Sequence, residues 1–101
     1  MALDMAALTD LRTFIKHRAG YLQYRAGGVI NKVPITDAQI LANGTVRIQA
    51  MISPGSANKI DRVEIYNNNG DLWAHQDVNI TMNQGQMGVL YWFDFSIKEG
   101  S

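Results

Sequence analysis

Few side chains in this sequence have the type and spacing to do chemistry. A serine hydrolase needs a nucleophile, a histidine and an orienting acid in one place. The histidines are His17 and His75, and no Gly-x-Ser-x-Gly turn is present to expose a serine. His17 falls in the charged run Lys16-His17-Arg18 and reads as solvated. His75 and Asp77 share one face of an alternating strand, which suits two metal ligands. A zinc site needs three or four, and no third is evident. The run Asn67-Asn68-Asn69-Gly70-Asp71 is rich in oxygen donors, as calcium loops are. With Gly70 at the sixth position, however, the first ligand would be Ile65, and no glutamate closes the loop. These residues fit a hairpin turn better. Asp77 and Asp94 are the candidate pair for a glycosidase. A chain of 101 residues leaves little room for a deep cleft beside a core. Gly27-Gly28 lacks the flanking residues of a phosphate-binding loop. The chain has no cysteine, which excludes disulfides, cysteine-ligated metal and thiol catalysis. The expectation is a protein without catalytic residues, bound metal or cofactor.

One constellation remains, and it is aromatic. Strand parity places Trp73 and His75 on one face of their strand and turns Leu90 and Trp92 outward on the last strand. Where those faces coincide, Trp73, His75, Leu90 and Trp92 form an apolar patch. Monomers rarely leave such a patch uncovered. Its cover is the N-terminal helix, a second subunit, or a stacked ligand such as a sugar ring.

These residues need elements to hold them. Met5, Leu8, Leu11 and Ile15 recur at helical steps, which predicts a helix over about 4–19. Asp4 or Thr9 is its capping candidate, and Gly20 its stop. The period then changes to two. Tyr21-Leu22-Gln23-Tyr24-Arg25 is a short strand ended by Gly27-Gly28. The segment 29–35 contains Pro34, which confines it to an edge or an irregular arm. Gln39-Ile40-Leu41 is brief, and Asn43-Gly44 is a turn. Val46, Ile48, Ala50 and Ile52 alternate with Arg47, Gln49 and Met51 in a half-buried strand, which Ser53-Pro54-Gly55-Ser56 ends. Ile60, Val63 and Ile65 open the next strand. Beyond the asparagine turn, Ala74, Val78 and Ile80 face one way, and Trp73, His75, Asp77, Asn79 and Thr81 the other. Asn83-Gln84-Gly85-Gln86 is a further turn. Finally, Val89, Tyr91, Phe93, Phe95 and Ile97 alternate with Leu90, Trp92, Asp94 and Ser96. The fold class is mainly β with one N-terminal helix (α+β). The architecture is an antiparallel β-sandwich or small barrel with the helix packed on one sheet. It forms a single domain over 1–101, with the β part over about 21–98.

Composition narrows the partners. Hydrophobic residues make up 47% and charged residues 18%, which argues for a folded domain over disorder. Nine basic and nine acidic residues cancel, which disfavours nucleic acid as a partner. The cancellation is uneven. Arg12, Lys16, Arg18, Arg25 and Lys32 crowd the first third, while Asp61, Glu64, Asp71, Asp77, Asp94 and Glu99 dominate the last 42 residues. Pairing within the monomer or between subunits would use that asymmetry. No stretch is long and apolar enough for a membrane span, and the first residues lack the features of a signal peptide. The expected location is therefore cytoplasmic. Asn43-Gly44-Thr45 and Asn79-Ile80-Thr81 match a glycosylation pattern that such a location leaves unused.

The stretch from Lys59-Ile60-Asp61-Arg62-Val63-Glu64-Ile65-Tyr66 through a Gly-containing turn to Asp71-Leu72-Trp73-Ala74 resembles bacteriophage tail-collar and tail-fibre domains. In these, an apolar-x-Glu-apolar strand leads through an Asp/Asn-Gly turn to a Leu-x-Ala segment. The long alternating strand near the end is similar as well, and the likeness covers about residues 59–98. The chain departs from the pattern at Trp73 and His75, where small apolar residues are usual. The resemblance implies a non-catalytic structural protein of a phage or prophage tail, assembled in the bacterial host cytoplasm. Its partners would be copies of itself or other virion tail proteins. The alternative is a small carbohydrate- or ligand-binding module that uses exposed Trp73 and Trp92 to hold a glycan.

Overall fold

A computed structural model describes residues 4–53, 59–81 and 88–97. The helix α1 (Met5–Arg18) runs directly into β1 (Ala19–Ala26). The further strands are β2 (Val29–Pro34), β3 (Asp37–Ile40), β4 (Val46–Ile52), β5 (Lys59–Asn67), β6 (Leu72–Thr81) and β7 (Val89–Phe95). They form two antiparallel sheets. Sheet A has the order β2-β1-β5-β6, and sheet B the order β3-β4-β7. The protein is thus mainly β, with one N-terminal helix packed against a sandwich of two sheets. The turns expected at 54–56 and 83–86 lie outside the described residues. No helix among the described residues is long and apolar enough to cross a membrane.

The core lies between the sheets. Leu22, Tyr24 and Ala26 of β1, all four inward residues of β4, and Ile60, Val63 and Ile65 of β5 are buried. Ile60 and Val63 lie three apart, which breaks a period of two. The register between β1 and β5 slips at this point, so Asp61 and Arg62 both turn outward and both apolar residues stay inside. Asp61 then meets Arg25 at 2.9 Å. Pro34 ends β2 at the outer edge of sheet A, where a missing ladder donor costs nothing.

The helix departs from its expected role. Of the four stripe residues, Met5 and Leu11 are exposed, and Leu8 and Ile15 are half-buried. Only Ile15 packs on the core. The helix touches β3 and β4. No side-chain bond caps its start, although Asp4 occupies the capping position. Gly20 is also not a helix-ending glycine, because the chain turns extended at Ala19. Its reason is steric: a Cβ there would collide with the Asn67 carbonyl. The Asn68 amide donates to the Arg18 carbonyl at 2.8 Å, which ties the helix end to the β5–β6 turn.

That turn explains its own residues. The Asn67 side-chain oxygen accepts from the amides of Asn69 at 3.0 Å and Asp71 at 2.8 Å. Gly70 sits at φ 87°, a conformation that strains any residue with a Cβ. The oxygen-rich run organises backbone, and its lead oxygen is already occupied by that task.

Candidate functional site

The four residues of the aromatic patch separate. Trp73 lies where the β5–β6 register slips: Ile65 faces Ala74, while Tyr66 faces Leu72. The extra residue reverses its parity. Trp73 turns into the sandwich and meets Phe95 edge-on at 6.0 Å. Its neighbour Ala74 keeps the expected inward parity, so consecutive residues pack on the core. His75 stays outward, exposed on the outer face of sheet A opposite Glu64. Leu90 and Trp92 stand on the outer face of sheet B, each 44% exposed. The structure therefore joins Leu90 to Trp92 and separates both from Trp73 and His75. The expected single patch is corrected to half its membership.

Sheet B completes that half with residues the sequence reading passed over. Met51 of β4 lies opposite Leu90 and is 47% exposed. Arg47 lies opposite Asp94 and binds it through two nitrogens, at 2.8 and 2.9 Å. The same guanidinium sits 4.9 Å from the centre of the Trp92 ring. Arg47 thus joins the carboxylate to the indole, as a flat, weakly hydrated cation can. Hydrogen bonding to Arg47 holds the Asp94 carboxyl below its ordinary pKa, against a smaller opposing effect of burial. A shallow cleft of about 390 Å³, lined by Ile80, Val89, Leu90, Tyr91 and Trp92, runs along the same side. The Tyr91 hydroxyl donates to the side-chain Oε1 of Gln76 at 2.9 Å, bridging the two sheets. Burial raises the Tyr91 pKa.

The outer face of sheet A differs in kind. Glu64 accepts from Gln23 at 2.9 Å, from the Tyr66 hydroxyl at 3.3 Å and from Arg62 at 3.2 Å. Tyr21 stacks on Tyr66 at 5.0 Å, and the Lys32 ammonium lies over Tyr21. Both Glu64 oxygens are engaged, so this is a closed network. Desolvation, followed by the charge of Glu64, raises the Tyr66 pKa.

The other candidates for chemistry are dispersed. His17 is exposed on the helix. Asp77 lies 3.7 Å from Arg62 beside sheet A, while Asp94 is held on sheet B, so the two carboxylates occupy different faces. Asp61 and Asp94 both have lowered pKa values, because Arg25 and Arg47 hydrogen-bond and so favour the carboxylate form, the reverse of the raised pKa a general acid needs. No group of three or more metal-ligating side chains occurs among the described residues. Period two was enough to turn Arg47, Met51 and Asp94 outward; which strands lie side by side was the missing information.

Comparison with protein-family models, with curated proteins and with solved structures finds no match for this chain.

Proposed function

We propose that this chain is a non-catalytic assembly protein that works through the outer face and free side of sheet B. The observation that carries this reading is the contiguous exposure of Met51, Leu90 and Trp92 beside a cleft that opens on the same side. Exposed apolar area of this kind serves association. Support also comes from the dispersal of His17, His75, Asp77 and Asp94, and from the downward shifts at Asp61 and Asp94. The resemblance of residues 59–98 to tail-collar and tail-fibre domains supports a phage or prophage tail as the assembly. The partners are then copies of the chain or other virion tail proteins, joined in the host cytoplasm. Light scattering coupled to size exclusion, across a range of concentrations, tests the reading. Mass that rises with concentration supports it, and a strict monomer throughout opposes it.

A second reading has one specific observation in its favour: the Trp92 indole is accessible, as a sugar-stacking ring must be. Two observations weigh against it. Trp73 is packed against Phe95, and Arg47 already occupies the vicinity of the Trp92 ring. Tryptophan fluorescence titrated with a glycan panel separates the readings, since a saturable change that disappears in Trp92→Ala would favour the glycan.

A further inference from the structure

Among the described residues the sandwich has four edge strands, and they are not equally protected. Natural sheets guard their edges with proline, lysine, short strands and bulges, because an open edge is a template for another strand. The β2 edge carries Lys32 and Pro34. The β3 edge is four residues long. The β6 edge is interrupted by two register slips against β5. The β7 edge carries none of these devices. It is seven residues long, Val-Leu-Tyr-Trp-Phe-Asp-Phe, pairs in continuous register with β4, and has no strand on its other side among the described residues.

The side facing β7 is also incompletely covered. Sheet A has four strands and sheet B three. Trp73, Ala74, Val78 and Ile80 of β6 pack on the core and remain half-buried, whereas the inward residues of β4 and β5 are closed off. The cleft between Ile80 and the 89–92 segment marks the same gap. A fourth strand beside β7 would cover it, given an apolar side chain at every inward position.

We infer that the free edge of β7 pairs antiparallel with β7 of a second copy of this chain, making one six-stranded sheet across a two-fold axis near Trp92. This rests on the assembly reading and names its first partner. The strand is complementary to itself. An axis at Trp92 sets Tyr91 against Phe93 and Val89 against Phe95 on the inner face. On the outer face it sets Trp92 against Trp92 and Leu90 against Asp94. Directly opposed residues share a face in antiparallel pairs, so both faces keep their character. The charge in the strand is Asp94, already neutralised by Arg47. The axis keeps the two carboxylates from facing one another, and a chain of net charge zero adds no overall repulsion. A two-fold axis also closes both open edges at once, where a head-to-tail contact would leave one free.

The absence of cysteine allows a direct test. In sedimentation equilibrium the native chain is expected to approach twice 11.2 kDa with rising concentration. Trp92→Lys, which opposes two cations at the axis, and Leu90→Glu, which opposes a carboxylate to Asp94, are both on exposed positions and are expected to weaken dimerisation at least tenfold while keeping native circular dichroism. Under mild oxidation Trp92→Cys is expected to form a covalent dimer, and His75→Cys on the far sheet is not. Self-association that survives both charge variants, without a crosslink at position 92, overturns the edge pairing and leaves the assembly reading standing. A native chain that stays monomeric at every concentration overturns both.

Discussion

Strands β4 and β7 are neighbours of equal length, paired residue for residue from Val46–Phe95 to Ile52–Val89. Both direct every second residue, apolar in each case, inward as expected. Yet all four inward residues of β4 have no exposed surface, while on β7 only Phe93 is buried and Val89, Tyr91 and Phe95 are partly open. The difference is one neighbour: among the described residues β4 has a strand on each side and β7 has one. Alternation determines which way a side chain points. The number of flanking strands determines how deeply it is covered.

The sharpest test of that contrast uses the facing pair Ile48 and Phe93. Ile48→Ala should destabilise the fold by about 4 kcal/mol, since it leaves a cavity walled on all sides. Phe93→Ala should cost about 3 kcal/mol despite losing the larger side chain, because the edge can relax. Urea denaturation midpoints would read both. A Phe93 variant that loses more than the Ile48 variant breaks the contrast, and an unchanged midpoint would mean the faces of β7 are inverted.

The next effects belong to the end of the sandwich where helix and turn meet. Gly20→Ala forces a methyl group onto the Asn67 backbone, which cannot swing aside as a side chain can. A loss of roughly 1–3 kcal/mol is expected, typical of overpacking. Gly70→Val meets no atom, yet holds a branched residue at positive φ, for about 1–2 kcal/mol. Thermal unfolding of the two variants would rank a steric penalty against a conformational one.

On the outer face of sheet B the expected changes in monomer stability are smallest. Trp92→Lys, measured below the association range, should alter monomer stability by about 0.5 kcal/mol or less, as exposed substitutions do. Equal loss at Trp92 and Ile48 would show that the outer face is a second core. Asp94 contributes a pH dependence whose sign follows from Arg47. A carboxyl whose folded pKa is depressed stabilises the fold above its unfolded value, about 3.9 for aspartate. That contribution disappears as the pH falls through the folded value. Native chain and Asp94→Asn should therefore differ at neutral pH and converge in acid. A difference that persists at low pH would assign the effect to packing.

Much of this molecule was legible from local pattern. The edge position forced by Pro34, the inward face of β4 and β7 and the turn at Asn67–Asp71 all follow from steric and hydrogen-bonding preferences within a few residues, whereas the signals read for the helix ends did not hold. Trp73 was not legible, because a bulge reverses parity without a distinctive residue type to announce it. The helix stripe misled for a related reason. Periodicity shows that a face is apolar, but the neighbouring strands cover only part of it. Arg47, Asp94 and Trp92 were each placed outward by parity, and their union needed the β4–β7 register.

The sequence by itself determined the kinds of element, the inward face of most strands and the chemistry left open by two histidines and no cysteine. These depend on short-range preferences and on composition. Only the tertiary structure decided that Trp73 is core, that Trp92 shares a cation with Asp94, and that β7 ends its sheet without protection. Those depend on which distant segments pair and in what register, and backbone hydrogen bonds, identical at every residue, carry no sequence label for that choice.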